Sequence, residues 1–245
     1  MAHDGGDTGL ISFPGEAAMA ARLADLIAAQ LAAAVEDKGR ASFAVSGGST
    51  PKLLYQHLSQ RDLNWSKVDV VLVDERWVEP GEEGSNETFI VENLMQNRAS
   101  AARLTGMKNK AASPAEGLST MEACLSGISF PLDVTVLGMG GDGHTASWFP
   151  NAQGLDAALD PNGRDRAAAI TATESEVTGK FLQRMTLTLP PVANSGLIVL
   201  MMKGEGKRDA YEKALGEGAV ADMPVRALLR LHESRSLPFW PCWTA

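Results

Sequence analysis

The sequence predicts an α/β fold: a single domain spanning residues 1–245, with a mainly parallel, Rossmann-like sheet and helices on both faces. Three observations carry this. Segments of strand period alternate with segments of helical period along the chain. Two strand segments, Val68 to Val73, almost unbroken apart from Asp69, and Leu197 to Met202, continuous, are apolar runs, as in strands covered on both faces. The unusual polar clusters each follow directly on a predicted strand, where open α/β sheets bind their ligands.

The composition suits such a domain. Of 245 residues, 44% are hydrophobic and 21% charged, as in an ordinary globular chain. A net charge of -8 argues against nucleic acid or an anionic membrane as the main partner, since both need clustered positive charge. No apolar run is read as reaching membrane-spanning length, and Met1-Ala2-His3-Asp4-Gly5-Gly6 lacks a basic region followed by an apolar one. The expected setting is therefore the cytoplasm. Cys124 and Cys242 are too few for a disulfide framework; Cys124 is placed on an apolar helical face, and both are read as reduced.

In chain order, residues 1 to 10 are short of apolar content and read as a flexible tail. Ala20, Leu23, Ile27, Leu31 and Ala34 repeat at helical spacing inside a helix over 14–37, which Gly39 ends. A short strand over 41–45 leads into Ser46-Gly47-Gly48-Ser49-Thr50-Pro51, with Pro51 in the first turn of a helix and Ser49 or Thr50 as its cap. The strand over 68–73 is closed by Asp74-Glu75-Arg76-Trp77, read as a loop. Residues 81–86 form a loop, 87–96 a helix burying Phe89, Ile90 and Leu94, and 114–125 another helix. A strand over 133–137 runs into a turn with four glycines, Gly138-Met139-Gly140-Gly141-Asp142-Gly143-His144.

Residues 151–166, rich in Asp, Asn, Gly and Arg, read as an exposed excursion, and 167–171 as a weak strand. Residues 184–189 alternate, with Met185, Leu187 and Leu189 on one side and Arg184, Thr186 and Thr188 on the other: a half-buried, antiparallel strand. The strand over 197–202 is followed by Lys203-Gly204-Glu205-Gly206-Lys207 and a helix to Leu215. Pro224 opens a last short helix, and 237–240 adds an edge strand.

Parallel strands would bring four loops to one edge: 46–50, 74–76, 138–144 and 203–207. Glycine lets a backbone approach a ligand closely, so 46–50 has the makings of a phosphate cradle, with exposed N–H groups and the hydroxyls of Ser49 and Thr50. It lacks the Lys-Ser/Thr ending of a nucleotide P-loop. A phosphate carries about -1.5 to -2 charge and needs a cation. Arg76, Arg184, Lys203 and Lys207 are the candidates, with Arg76 foremost because a planar guanidinium clamps phosphate bidentately. Asp142 and His144 are the titratable groups of the glycine turn. A carboxylate beside an imidazole fixes its tautomer and suits it to general base work; the plainer alternative is a strand-to-helix turn with Asp142 as helix cap. His3, His57, His144 and His232 are scattered, which argues against a metal site. Trp77 and Trp148 are read as possible pocket walls.

Ser46 through Pro51, Asp74-Glu75-Arg76-Trp77-Val78, Ser85-Asn86 and Gly138 through Pro150 together resemble the 6-phosphogluconolactonase family. Arg184-Met185-Thr186-Leu187-Thr188 and Gly206-Lys207-Arg208 match its later segments, and the likeness runs from about residue 11 to 240. Asn151 departs from it, where the family often has glycine. The resemblance implies a fold shared with glucosamine-6-phosphate deaminases and ribose-5-phosphate isomerases, no metal and no cofactor. It also implies hydrolysis of 6-phospho-D-glucono-1,5-lactone to 6-phosphogluconate, with a sugar-phosphate lactone as partner; the expected assembly is a monomer or small homo-oligomer.

On that basis His144, oriented by Asp142, is the general base, with Arg76 as a third catalytic residue. Gly47, Gly48, Ser49 and Thr50 hold the phosphate with Arg76, Lys207 and Arg184. Asp74, Gly140, Gly141 and Gly143 complete the pocket, and N–H groups of the 138–143 turn are candidate oxyanion donors. A deaminase is the nearest rival, but that group tends to have Asp-Glu-Tyr at 74–76 and an acid shortly after the histidine. A non-catalytic sugar-phosphate sensor is the other.

Overall fold

The computed structural model describes residues 9–245. The expected tail lies outside that range over residues 1–8, as does His3, while residues 9 and 10 lead into the first strand. The elements are β1 (Ile11–Ser12), α1 (Glu16–Lys38), β2 (Ala41–Val45), α2 (Lys52–Leu58), β3 (Val68–Leu72), β4 (Asp74–Arg76), α3 (Asn86–Asn93), β5 (Arg103–Thr105) and α4 (Pro114–Leu125). There follow β6 (Val134–Gly138), α5 (Leu155–Leu159), β7 (Ala167–Thr171), β8 (Gln183–Leu187), α6 (Leu189–Ala193), β9 (Ile198–Lys203), α7 (Glu205–Leu215), α8 (Arg226–Arg235) and β10 (Phe239–Thr244).

Seven strands form one sheet in the order β1-β10-β9-β6-β2-β3-β5, every pair parallel. All residues of β2 and β3 are buried, which requires cover on both faces. The order runs outward in two directions from the β2–β6 pair, so a crevice opens where the connections diverge. A second sheet, β4-β8-β7, is antiparallel and starts two residues after β3 ends.

Local chemistry explains the helices. In α1, Met19, Leu23, Ile27 and Leu31 form the buried stripe, and Gly39 ends the helix at φ 75° with its N–H on Val35 O. Ser85 caps α3 by accepting from Thr88 N, and Ser113 caps α4 by accepting from Glu116 N. By length and composition α1 could cross a membrane, contrary to the reading of the sequence. Its apolar stripe is instead laid against α2, β2 and β10.

Several other expectations are corrected. Residues 74–76 are a strand, not a loop. The 151–166 segment is not wholly an exposed excursion: it contains α5 and buries Ala152, Leu155 and Ala158. β8 is antiparallel as expected, but Arg184, Met185, Thr186 and Leu187 are all buried, since both of its faces are covered. The last strand is longer than expected and lies inside the sheet between β9 and β1. Cys124 points to solvent and not to an apolar face, while Cys242 is buried; both are free thiols.

Candidate active site

The loops after β2, β3, β6 and β9, four adjacent strands, meet at the carboxyl edge of the parallel sheet. They surround a cavity of about 270 Å³. A larger, mainly apolar hollow of about 610 Å³ between α5, α6 and α8 contains none of the expected site residues. In the smaller cavity stand Ser46, Gly47, Gly48, Ser49, Thr50, Asp74, Arg76, His144, Arg184 and Lys207. Lys203 is not brought in; it pairs with Glu16 at 2.5 Å on the surface. Asp142, Gly140, Gly141 and Gly143 do not line the cavity but build the turn behind it.

His144 Nδ1 lies 2.6 Å from Asp142 Oδ1, and the same oxygen accepts the His144 N–H at 3.1 Å. With Nδ1 on the carboxylate, Nε2 is the free nitrogen of a ring that lines the cavity. Gly140 makes this pairing possible, because a Cβ there would stand 2.0 Å from His144 Nδ1 and 2.4 Å from Asp142 Oδ1. The turn is pinned by Thr145 Oγ1 donating to Gly138 O at 2.8 Å and by Val225 N donating to Gly143 O at 2.9 Å. No helix follows it, so Asp142 is not a helix cap. Burial opposes ionisation of Asp142, but the hydrogen bond and charge of His144 outweigh it and hold the carboxyl below its ordinary value. The N–H groups of Gly140 and Gly143 are spent on His144 O and Gly140 O, which removes them as oxyanion donors.

The opposite wall is cationic. Arg76 and Arg184 are cross-strand partners in the β4–β8 ladder, an unfavourable placement of like charges without an anion between them. Arg184 is buried, bonded through Nε to Phe181 O at 2.6 Å, and 3.9 Å from Asp74. Burial pulls its guanidinium down to about 10, with Asp74 opposing. Arg76 Nη1 donates to Gly84 O at 2.5 Å. Among the described residues, Ser46 Oγ and Arg76 Nε are buried polar atoms with no hydrogen-bond partner, and both residues line the cavity. Such orphans call for a ligand or water. Lys207 reaches in from α7 with Nζ on Met139 O at 2.6 Å; burial lowers its ammonium below the ordinary value, Asp142 opposing.

The 46–50 loop lies open, as a cradle must. Its hydroxyls do not cap α2, whose cap position is Pro51 with no side-chain hydrogen bond, so the expected capping by Ser49 or Thr50 fails. Gly47 is held close, since a Cβ there would meet Asn86 Oδ1 at 2.0 Å.

Four supporting residues carry no role in the sequence reading. Glu75 points away from the cavity, is fully buried, and accepts from the N–H groups of Arg76, Asn86 and Glu87 at 2.7–2.8 Å. Burial pushes its carboxyl up to about 7 against those three bonds. Asn86 donates to Asp74 O at 2.9 Å, and Ser147 donates to Asp74 Oδ2 at 2.5 Å. The period-two alternation of a strand over 74–76 would have separated Glu75 from its neighbours. Phe149 is the aromatic wall; the expected tryptophans are not. Trp148 is core, with Nε1 on Leu187 O at 2.8 Å, and Trp77 stacks near Lys108 outside the cavity. His57 on α2 and His232, which pairs with Leu237 O, also lie outside it. Asn151 adopts φ 53°, a left-handed conformation that favours glycine.

Comparison with known proteins agrees. The family model described as glucosamine-6-phosphate isomerases/6-phosphogluconolactonase matches residues 14–237. A 6-phosphogluconolactonase of Rhizobium meliloti is 40% identical over 228 residues, covering 93% of this chain and 96% of its own. One from Pseudomonas aeruginosa is 39% identical, covering 88% and 89%. The crystal structure of a 6-phosphogluconolactonase from Shewanella baltica superposes with a TM-score of 0.90 at 41% identity, covering 96% of this chain and 97% of that one. A monomeric glucosamine-6-phosphate deaminase, at 16% identity and a TM-score of 0.76, shares the fold. With its mainly parallel sheet, its glycine turn and relatives of this identity and coverage, the chain belongs to the glucosamine-6-phosphate isomerase/6-phosphogluconolactonase family.

Proposed function

We propose that this chain hydrolyses 6-phospho-D-glucono-1,5-lactone to 6-phosphogluconate in the oxidative pentose phosphate pathway, with His144 as general base. One observation carries the assignment. His144 is tied by Nδ1 to Asp142 at 2.6 Å while its ring lines a cavity shared with Arg76, Arg184 and Lys207.

The phosphate sits in the 46–50 loop, where it answers Ser46 Oγ and Arg76 Nε and separates the two arginines. Anchoring it there holds the lactone carbonyl near His144, so binding energy remote from the reacting bond becomes positioning. Nε2 takes a proton from water as the water oxygen bonds to C1. The tetrahedral intermediate collapses, the bond from C1 to the ring oxygen breaks, and the imidazolium returns the proton to that oxygen. Asp142 keeps Nδ1 protonated and offsets the charge that forms.

A deaminase would want an acid in the segment after His144. Thr145 and Ser147 stand there, bonded to Gly138 O and Asp74. The setting of this reading is the cytoplasm, with a monomer or small homo-oligomer acting on a small molecule.

The test follows acid release from freshly made lactone with the spontaneous rate subtracted. Acceleration supports the reading. No acceleration overturns it, and ammonia release from glucosamine 6-phosphate would replace it with a deaminase.

A further inference from the structure

Phe149 lies five residues beyond His144, yet its ring returns onto the imidazole. The centroids are 4.5 Å apart and the planes 31° from parallel, a tilted contact at the short end of aromatic-pair separations. The left-handed turn at Ala146 (φ 48°) and the bridge between Thr145 and Trp148 fold the chain back to make this contact. Phe149 has little freedom to move. It is 3% exposed, its N–H is on Ser147 O at 3.1 Å, and its neighbour Trp148 is anchored in the core. The Arg184 guanidinium carbon lies 5.1 Å from the same ring centroid.

The geometry points to Phe149 as a positioning residue for the base: it fixes the plane of the His144 ring. This rests on the reading of His144 as the base. Two constraints are needed to aim an imidazole. The Asp142 hydrogen bond fixes which nitrogen faces back, and a close contact against the ring fixes the plane. Without that contact the ring can swing about its bond to Asp142 and carry Nε2 away from the water. Asp142 from the same turn, Lys207 from α7, Arg184 from β8, and Asp74 and Arg76 from β4 are the charged groups around the site. All remain when Phe149 alone is changed.

The experiment compares Phe149→Leu, which keeps an apolar side chain but removes the ring, with Phe149→Tyr, which keeps the ring. Phe149→Met replaces leucine if that variant does not fold. Three quantities are read: kcat and KM for the lactone, the mobility of the His144 ring by NMR relaxation, and the melting temperature. Leucine should lower kcat about tenfold with KM within about twofold, since a loosened ring misplaces Nε2, and should raise the mobility of the ring. Tyrosine should restore both kcat and the order of the ring. A purely structural role would lower the melting temperature and leave kcat and the ring's mobility unchanged, and that result overturns the proposal. The relaxation measurement needs no turnover. A more mobile ring with an unchanged kcat therefore supports Phe149 as the ring's support and removes His144 as the base, so the two failures are distinguishable.

Discussion

The two edges of the parallel sheet use buried polar groups differently. Where the strands begin, the two buried acids are answered, although Arg61 Nε, between α2 and β3, is a buried atom without a hydrogen-bond partner. Asp69 on β3 accepts from Arg40 at 2.5 and 3.0 Å and from Arg103 at 2.8 Å. Asp133, just before β6, accepts from Lys38 at 2.5 Å and from the Ser42 N–H at 2.9 Å. Where the strands end, Ser46 Oγ and Arg76 Nε have no partner, and Arg76 faces Arg184 across a ladder. An unsatisfied buried polar group costs about 1–3 kcal/mol, so the second edge is poorer in stability. What it gains is unused bonding capacity pointed at a cavity. One edge holds the fold and the other holds a ligand.

That contrast is sharpest at His144. His144→Asn keeps similar volume but removes the proton acceptor. Lactone turnover should fall by about two to four powers of ten, while the melting temperature and 6-phosphogluconate binding stay near wild type. A variant that retains most of its kcat/KM, with spontaneous hydrolysis subtracted, would end the role given to His144. Gly140→Ala attacks the same pair without touching either member. Its Cβ would stand 2.0 Å from Nδ1, so the ring must shift by an ångström or so. A displacement of that size can cost about a hundredfold, read as lower kcat with KM little changed. If kcat is preserved, the close approach at Gly140 is not what aims the ring.

The ligand edge was more legible in the sequence than the walls of its cavity, for a physical reason. Convergence of 46–50, 138–144 and Lys207 requires only that strands be parallel and neighbouring, and β/α alternation already says so. The β4 strand could not be read, because Asp74-Glu75-Arg76 has no apolar residue to betray a period. Its extended form comes from pairing with β8 more than a hundred residues later. The edge strands β1 and β5, of 2 and 3 residues, are too short to show alternation. Phe149 sits beside Trp148 in the sequence, and no pattern tells which of two adjacent aromatics faces the core. The expected caps at Ser49 and Thr50 failed because α2 begins later, at Lys52, which leaves those hydroxyls in the cavity.

Arg76→Ala tests the cationic wall. Losing a charge-assisted contact should weaken 6-phosphogluconate by about 1.5–3 kcal/mol, with unphosphorylated gluconolactone barely changed. Stability should change little, since the bond to Gly84 O is lost while a buried orphan and a like-charge neighbour of Arg184 disappear. Titration calorimetry with the two ligands separates the outcomes. An equal loss on both would move Arg76 from phosphate binding to a structural role.

The smallest effect on activity belongs to the opposite edge. Asp69→Asn keeps the shape of a buried side chain and removes its charge. Burial opposes ionisation of Asp69, but Arg40 and Arg103 outweigh it and hold the carboxyl below its ordinary value. As pH falls, the unfolded chain therefore takes up this proton before the folded one does. The stabilisation is complete above the unfolded value of about 3.9 and is lost as pH drops through the folded value. Breaking a buried pair can cost about 3–5 kcal/mol when the abandoned charge stays buried. Here the side chains of Arg40 and Arg103 are 43% and 55% exposed and return to water, so the expected loss at pH 7 is nearer 1–2 kcal/mol. Urea unfolding of wild type and variant from pH 3 to 7 should show the gap closing towards acid, with lactone turnover at pH 7 within twofold. A gap that does not change with pH would mean that Asp69 stabilises by shape and not by charge. A large loss of turnover at unchanged stability would erase the distinction between the two edges.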